Sequence, residues 1–330
     1  MSILITGGSG YIGSHICLEL LRLGNDIIIV DNLSNSSGDS VQSLRNFFNV
    51  SIPFYKIDLR DENGLDTIFL ENNIKYVIHL AGKKSVKESI EQPIYYYDNN
   101  VSSTIQLLKV MKKYNCFKLV FSSSATVYGG SSKSPISEGA NIDPINPYGR
   151  TKAMIEMMLE DVVESEDPWK IVCLRYFNPV GLDKSKLLKE EASDLPENLF
   201  PYIQKVIRGE LEFLTIFGAD YPTSDGTPVR DYIHITDLAK AHQKALDFIF
   251  KLPEFCIEKY HVFNIGTGRG NSVLDIIKCF KAIGVPINYK IGSRRAGDAA
   301  KVYANSKKAE KILGWYSEKC LADMCKDTVL

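Results

Sequence analysis

The sequence predicts an α/β protein, with a doubly wound parallel sheet joined to a smaller α/β C-terminal domain. Three observations predict this class. Short runs rich in β-branched residues alternate with helix-spaced apolar residues through the first half of the chain, as in parallel βαβ units. The run at 26–31 is apolar over four consecutive residues, which is typical of a strand covered on both faces. A glycine-rich loop follows the first strand.

The alternation places each element along the chain. We expect strands at 3–6, 26–31, 51–57, 76–79, 118–122 and 171–176, and helices at 13–23, 64–72, 104–114 and 148–165. After Phe177 long polar loops interrupt the pattern, and a strand at 262–264 leads into a helix at 272–281. We therefore predict a first domain at 1–177, with contributions from about 231–264, and an interleaved second domain at 178–330.

Composition excludes several classes of protein. The 330 residues have a formal net charge of -1, so no basic field would attract nucleic acid or an anionic membrane. No apolar run approaches the ~18 residues that span a bilayer, and the N-terminus does not resemble a secretory signal. The seven cysteines are widely spaced and fit no metal-binding pattern. We expect reduced thiols, no metal and a cytoplasmic location.

The glycine-rich loop predicts a Rossmann-type dinucleotide site. Gly7, Gly10 and Gly13 lie between the first strand and the first helix, where glycine allows a tight turn and close approach of a diphosphate to free helix amides. Asp31 ends the second strand, 31 − 7 = 24 residues after the first glycine. A carboxylate there would bind the adenosine ribose and repel a 2′-phosphate, which favours NAD over NADP. A purely structural turn is the alternative.

A Tyr-x-x-x-Lys pair predicts acid–base chemistry. Tyr148 and Lys152 are four residues apart, so a helix presents both on one face. A neighbouring ammonium lowers the pKa of a phenol, which makes tyrosine a usable base. Ser124 follows the strand at 118–122, at the carboxyl edge of the sheet where ligands bind. The alternative is that the tyrosine packs, the lysine is solvated and the serines form a polar turn.

Several motifs together resemble the extended short-chain dehydrogenase/reductases. Within that superfamily, four segments are similar to the UDP-glucose 4-epimerase family: SSSATVYG at 122–129, 175–181, VRDYIH at 229–234 and 294–298. The resemblance extends in order from residue 1 to about 327. The motifs of the superfamily are GGSGYIG at 7–13, Asp-Leu at 58–59, HLAG at 79–82, YDNN at 97–100, SSSATVYG at 122–129 and YGRTK at 148–152.

The resemblance implies an isomerase that uses NAD to interconvert UDP-glucose and UDP-galactose through a transient 4-keto sugar, in galactose metabolism. Tyr148 would take the proton of the sugar 4-hydroxyl, and Ser124 would hydrogen-bond the reacting oxygen with help from Thr126. Lys152 would hold the nicotinamide ribose and lower the phenol pKa. The cofactor-binding residues implied are Gly7, Gly10, Tyr11, Ile12, Gly13, Asp31, Asn32, Asn35, Asp58, Leu59, Leu80, Ala81, Lys84, Asn99, Ser124, Tyr148, Lys152 and Phe177.

The substrate-binding residues implied are Ser124, Thr126, Tyr148, Asn178, Asn198, Thr215, Ile216, Phe217, Arg230, Arg295, Asp298 and Val302. Arginine forks suit a diphosphate, and an aspartate accepts from uridine hydroxyls. Plainer alternatives remain: Lys84 solvated, Asn99 capping a helix, and Arg230 paired with Asp231 or another surface acid. We expect His234 and the glycine loop at 266–270 to be structural.

The residue at position 302 predicts which sugars fit the pocket. In the family, the residue four positions after the aspartate of 294–298 lies near the second carbon of the sugar. That position is Val302 here, smaller than the tyrosine of members that prefer plain hexoses, so UDP-GlcNAc and UDP-GalNAc are predicted as additional substrates. A shift of one residue would instead place Tyr303 in the pocket.

Other functions share these features. Nucleotide-sugar 4,6-dehydratases and UDP-glucuronate 4-epimerases use the same cofactor, but a dehydratase needs an acid–base pair where this chain has Ala125 and Thr126. A non-catalytic dinucleotide sensor is a further alternative, although such proteins usually lack the Tyr-x-x-x-Lys pair. The family also implies a homodimer formed through the helices at 104–114 and 148–165. A methionine stripe on the second helix, at 154, 157 and 158, would serve that contact or face the protomer's own sheet.

Overall fold

The computed structural model describes residues 2–130, 133–165, 167–188, 198–253, 256–295 and 298–329. Seven parallel strands form the main sheet, in the order β3-β2-β1-β4-β5-β6-β10. This is the doubly wound order, extended by one strand. The strands are β1 (Ser2–Thr6), β2 (Asp26–Val30), β3 (Phe54–Tyr55), β4 (Ile74–His79), β5 (Lys118–Ser124), β6 (Lys170–Tyr176) and β10 (Tyr260–Ile265).

Helices cover both faces of this sheet, as the apolar strands predict. In β2, Ile27 and Ile29 pack in the core on one face, whereas Ile28 and Val30 belong to the core on the other. The helices of this region are α1 (Tyr11–Arg22), α2 (Asp39–Phe48), α3 (Glu62–Glu71), α4 (Val86–Glu91), α5 (Pro93–Tyr97), α6 (Ser103–Lys113), α7 (Pro147–Val163) and α9 (Ile235–Lys251). A π-helical segment, Asp98–Ser102, joins α5 to α6, and a 3-10 turn, Ala125–Tyr128, follows β5.

The second region has its own core, formed by side chains such as Phe200, Ile203 and Phe280. Its central strand β9 pairs with β7, β11 and β13, and β8 pairs with β12. The strands are β7 (Asn178–Val180), β8 (Leu214–Phe217), β9 (Val229–His234), β11 (Gly270–Ser272), β12 (Tyr289–Gly292) and β13 (Lys301–Val302). The helices are α8 (Leu199–Ile207), α10 (Val273–Ala282), α11 (Lys307–Leu313) and α12 (Leu321–Val329).

The predicted strands and helices are confirmed, with one strand shorter than expected and several elements that the sequence analysis did not predict. The strand expected at 51–57 is only two residues long, because it lies at the edge of the sheet and pairs with β2 alone. The sequence analysis also gave no helix for Ile235–Lys251, which packs its apolar face on α1 and the sheet. Within the described ranges, no helix has the length and apolar character that a bilayer crossing requires.

Candidate active site

A cavity of about 1470 Å³ opens at the carboxyl edge of the main sheet, between that sheet and the second region. Every residue predicted to bind the cofactor lines this cavity. They are Gly7, Gly10, Tyr11, Ile12, Gly13, Asp31, Asn32, Asn35, Asp58, Leu59, Leu80, Ala81, Lys84, Asn99, Ser124, Tyr148, Lys152 and Phe177. The fold therefore brings together residues from β1, β2, β4, β5 and α7, although their individual roles toward a ligand stay predictions.

The glycine loop has the geometry of a diphosphate cradle. Gly7 has φ +71°, and an added Cβ would lie 2.8 Å from the backbone nitrogen of Ala81. A Cβ on Gly13 would lie 2.2 Å from the carbonyl oxygen of Gly7, so the first turn of α1 can pack there only on a glycine. Gly10 is different: its nearest protein atom would be 3.6 Å away. Because no side chain caps α1 at Gly10, space and helix amides remain for a phosphate.

Two carboxyl groups, Asp31 and Asp58, line the cavity beyond the ends of the first strands. Asp31 is buried and accepts hydrogen bonds from the backbone N–H groups of Ser9 (3.1 Å) and Leu33 (2.9 Å), which fix its orientation toward the cavity. Asp58 accepts from Arg60 at 2.8 Å and from Asn32 at 3.2 Å. Hydrogen bonds from Arg60 hold the pKa of the Asp58 carboxyl well below its usual range. The Asp58 carboxyl is therefore an anion at neutral pH.

The π-helical segment shapes the wall near Lys84. Asn99 faces the cavity from this segment and does not cap α6, whose N-terminus at Ser102 has no side-chain cap. Its neighbour Asn100 instead fastens the loop after β4, accepting from the N–H of Lys83 at 2.8 Å and donating to the Lys83 carbonyl at 3.1 Å. The helix-cap interpretation of Asn99 is wrong, because the backbone continues as a helix through that residue.

Ser124, Tyr148 and Lys152 meet at the centre of the cavity. Ser124 is the last residue of β5, and its hydroxyl accepts from the hydroxyl of Thr126 at 3.0 Å. Tyr148 lies in the first turn of α7, which the side chain of Asn146 caps by accepting from the N–H of Gly149 at 2.8 Å. One turn later, Lys152 donates to the Ser122 carbonyl at 2.8 Å. The alternative in which the lysine is solvated is wrong, because Lys152 is buried.

Electrostatics at the trio differ from the expectation. Burial raises the pKa of the Tyr148 phenol, and a hydrogen bond with Ser124 is the influence that opposes this rise. Burial also lowers the pKa of Lys152 to about 8, against the attraction of Glu156 and Cys173. In the protein alone, then, Lys152 does not bring the pKa of the Tyr148 phenol below its ordinary value.

The other end of the cavity is lined by most of the predicted substrate residues. They are Thr126, Asn178, Asn198, Arg230, Asp298 and Val302, in addition to Ser124 and Tyr148. Arg230 donates to the Ala299 carbonyl at 2.8 Å and forms an ion pair with Asp298 at 3.3 Å. The ion-pair alternative therefore holds with Asp298 as the acid and not with Asp231, because successive residues of β9 face opposite ways and Asp231 is fully buried.

Four predicted substrate residues do not line the cavity: Thr215, Ile216, Phe217 and Arg295. Ile216 packs in the core of the second region, and the guanidinium of Arg295 stacks on the Phe217 ring at 4.0 Å. The neighbouring Arg294 pairs with Asp220 at 2.6 Å and also points away. Residues 296–297 of this segment lie outside the described ranges.

The two features expected to be structural are confirmed. His234 caps α9, accepting from the N–H of Thr236 at 3.2 Å, and it bonds Asp327 at 3.1 Å. The glycine loop at 266–270 turns its amides inward, since the N–H groups of Thr267 (2.8 Å) and Gly268 (3.0 Å) donate to the buried carboxylate of Asp231. Two amides of that loop therefore already donate to a carboxyl group of the protein itself.

The sequence analysis missed several residues of the cavity wall. Asn146 had a signal, since asparagine followed by proline marks a helix N-terminus. Leu187, Leu188 and Pro201 had none, because the path of the chain after β7 is set by tertiary packing. Across the described ranges, no group of three or more His, Cys, Asp or Glu residues could hold a metal ion.

Comparison with known proteins agrees with this geometry. The chain is 45% identical over 329 residues to the UDP-glucose 4-epimerase of Bacillus subtilis (strain 168), which covers 99% of this chain and 96% of that protein. This chain belongs to the UDP-glucose 4-epimerase family. A family model described as GDP-mannose 4,6 dehydratase also matches residues 4–328 of the chain.

Solved epimerases superpose over the whole chain. The Stenotrophomonas maltophila UDP-glucose-4-epimerase, with bound NAD and formylated UDP-arabinopyranose, has a TM-score of 0.95 at 42% identity and covers 100% of this chain and 97% of its own. The Bifidobacterium longum UDP-glucose 4-epimerase, in complex with NAD+ and UDP, has a TM-score of 0.92 at 47% identity, with the same coverage. The family and the fold of this epimerase are thereby established.

Proposed function

We propose that this protein is an NAD-dependent UDP-glucose 4-epimerase that interconverts UDP-glucose and UDP-galactose. The observation that supports this most directly is the convergence of Ser124, Tyr148 and Lys152 on a cavity that also contains the glycine loop and Arg230. One cavity of about 1470 Å³ has room for a dinucleotide beside a nucleotide sugar. A reaction that oxidises and then re-reduces the same alcohol requires that arrangement.

The residues present fit NAD. The close contacts that a Cβ would make at Gly7 and Gly13, and the open space at Gly10, suit a diphosphate on the N-terminus of α1. Asp31 would bind the adenosine ribose, and Lys152 would hold the nicotinamide ribose. When bound, NAD supplies the acceptor and later the donor of a hydride at the fourth carbon of the sugar.

The protein's own groups would handle the proton and the pivot. Tyr148 takes the proton of the sugar 4-hydroxyl and later returns it, while Ser124 hydrogen-bonds the same oxygen. Because burial keeps the pKa of the Tyr148 phenol raised in the protein alone, the phenol becomes a base only in the loaded complex. Arg230 would hold the diphosphate while the keto sugar turns and presents its other face.

A Tyr148→Phe variant tests this function. It removes the proton acceptor and leaves the ring, so we expect NAD binding to be kept and turnover of UDP-galactose to fall by roughly 10²–10⁴-fold. The assay incubates each protein with UDP-galactose and no added electron acceptor, and follows UDP-glucose. Unchanged turnover in the variant would refute the assignment. A 4-keto-6-deoxy product would indicate a dehydratase, and the absence of any product would indicate a dinucleotide sensor.

The same proposal includes N-acetylated UDP-hexoses as substrates. Val302 lines the cavity, whereas Tyr303 lies beside Gly270, where an added Cβ would be 2.9 Å from its ring. This supports the assignment of Val302, and not Tyr303, as the residue that lines the sugar pocket, on which the argument about substrate size depends. A cytoplasmic role in galactose metabolism completes the proposal, supported by seven unpaired cysteines.

We also propose a homodimer formed through α6 and α7. Met154 and Met157 are 45% and 64% exposed on α7, while Met158 packs against the protomer's own core. Ile105 on α6 is 38% exposed, so the two helices present apolar side chains to solvent. Light scattering should give twice the monomer mass for the wild type and a shift toward monomer for Met157→Asp. A monomeric wild type would contradict this part of the proposal.

A further inference from the structure

A buried ion pair lies one helical turn beyond Lys152. Glu156 and Arg175 are 4% and 5% exposed, and the Arg175 Nε donates to Glu156 at 2.9 and 3.1 Å. The guanidinium also donates to the Tyr128 hydroxyl at 3.0 Å and to the Glu138 carbonyl at 3.2 Å. A charged pair so far from water is costly unless its geometry is complete. Here it stands directly behind the catalytic trio.

The pair is also bonded to the strand that holds the trio. Three consecutive serines of β5 each contact a different partner: the Ser122 carbonyl accepts from Lys152, the Ser123 hydroxyl donates to Glu156, and Ser124 contacts Tyr148. Glu156 therefore links α7 to β5 immediately beside the catalytic serine. No substrate or cofactor role explains it, since neither Glu156 nor Arg175 lines the cavity.

Lys152 has few other anions near it. Cys173 on β6 faces it, but burial holds the pKa of that thiol well above its usual value. His79 on β4 also faces it, and burial lowers the pKa of that imidazole to about 3. Both groups are neutral near pH 7, and so are the Tyr148 and Tyr176 phenols, whose pKa values are raised by burial. Among these groups, only Glu156 attracts the ammonium as a charge.

We propose that Glu156 is a positioning residue whose carboxylate, held in place by Arg175 and Ser123, keeps Lys152 protonated and seated on the Ser122 carbonyl. The inference rests on the proposed function, in which Lys152 acts as a cation toward the cofactor. It adds that the cation is maintained by a group that touches neither ligand. Loss of the Glu156 charge would let Lys152 release its proton at lower pH.

The test compares Glu156→Gln with the wild type across pH 6–10. We expect the alkaline limb of kcat to move down by about one pH unit, which is a roughly tenfold loss relative to the wild type at pH 9, because an opposite charge of this kind shifts a pKa by ~1–3 units. Glu160→Gln is the matched control, with the same change on an exposed turn of α7, and its limb should not move. Glu156→Asp restores the charge and should return the limb toward wild type. A limb unmoved in Glu156→Gln, or moved equally in Glu156→Asp, would overturn the proposal.

Urea unfolding supplies a readout that does not depend on catalysis. Lys152 has a folded pKa below its unfolded value, so protonation there opposes folding, and more strongly without Glu156. The stability deficit of Glu156→Gln should therefore shrink as pH rises from 6 to 9, by about tenfold in the unfolding constant. A deficit independent of pH would contradict the inference, even if the wild type did not epimerise.

If Glu156→Gln does not fold, the double variant Glu156→Gln/Arg175→Met removes both charges and leaves no unpaired guanidinium. Its alkaline limb should still lie below that of the wild type, because the anion beside Lys152 is gone. If the alkaline limb of the double variant coincided with that of the wild type, the ion pair would have only a packing role and the proposal would be wrong.

Discussion

Alanine should destabilise the fold at Gly13 but not at Gly10, although both glycines lie in the same loop. Gly13→Ala places a Cβ 2.2 Å from the Gly7 carbonyl oxygen and 2.7 Å from the Gly8 Cα, both of them backbone atoms. Gly10→Ala places its Cβ no closer than 3.6 Å to any protein atom. The first change therefore disturbs the fold, whereas the second fills only the space that we assign to the cofactor.

The expected change in folding stability at each glycine is the balance of two opposing contributions. At Gly13, alanine gains about 1 kcal/mol of helix propensity but meets overpacking of roughly 1–3 kcal/mol or more against rigid backbone. At Gly10, with φ −71° and ψ 173°, alanine loses about 0.5–1 kcal/mol as a helix cap and gains about 0.4–1 kcal/mol of unfolded-state entropy. We expect the nucleotide-free Tm to fall by several degrees in Gly13→Ala and to change by less than about 2 °C in Gly10→Ala.

NAD binding should nevertheless fail in both variants. A methyl group at Gly10 would keep the diphosphate from the helix amides, so Kd should rise at least about tenfold, or 1.4 kcal/mol. The assay is thermal melting of nucleotide-free protein with and without NAD, followed by calorimetric titration. Wild-type affinity in Gly10→Ala would refute the placement of the diphosphate, and a large drop in its nucleotide-free Tm would refute the packing argument.

Two further predictions concern substrate size and acid stability. Val302→Tyr should reduce turnover of UDP-GalNAc by roughly 10–100-fold and change that of UDP-galactose only a few-fold, which coupled assays on both sugars would measure; equal losses would contradict the size argument. Burial pushes the pKa of Asp183 upward, but hydrogen bonds from Arg22 and Ser185 outweigh it and hold that pKa well below its ordinary value. This carboxylate therefore stabilises the fold above about pH 4 and loses the effect as pH falls. Arg22→Ala should show a shallower loss of urea stability between pH 5 and 3 than the wild type, and parallel curves would sink the idea.

Local patterns predicted the parts of this protein that depend on neighbouring residues. The glycine loop, the alternating faces of β2 and the Tyr148–Lys152 spacing each depend on a few consecutive residues, so their geometry follows from backbone rules. The carboxyl edge of the sheet likewise gathers Asp31 and Ser124 because parallel strands all end there.

Tertiary contacts decided the rest. Arg295 stacks on Phe217 away from the cavity, an orientation that spacing along the chain cannot predict. Asp231 accepts hydrogen bonds from a loop about 35 residues later in the chain, whereas Arg230 forms its ion pair with Asp298. The pKa of Tyr148 followed burial, a property of the assembled site and not of the Tyr-x-x-x-Lys motif.

The position of β10 has a consequence for protein synthesis. Its residues Tyr260–Ile265 form an edge of the main sheet beside β6, which ends at Tyr176, so 260 − 176 = 84 residues must be translated before that edge is covered. At ribosomal rates of about 5–20 residues per second, β6 is an open edge strand for roughly 4–17 s. Unpaired strand edges are where nascent chains aggregate. Chaperones would therefore meet this polypeptide at a defined stage, after the glycine loop has formed and before its last sheet strand is made.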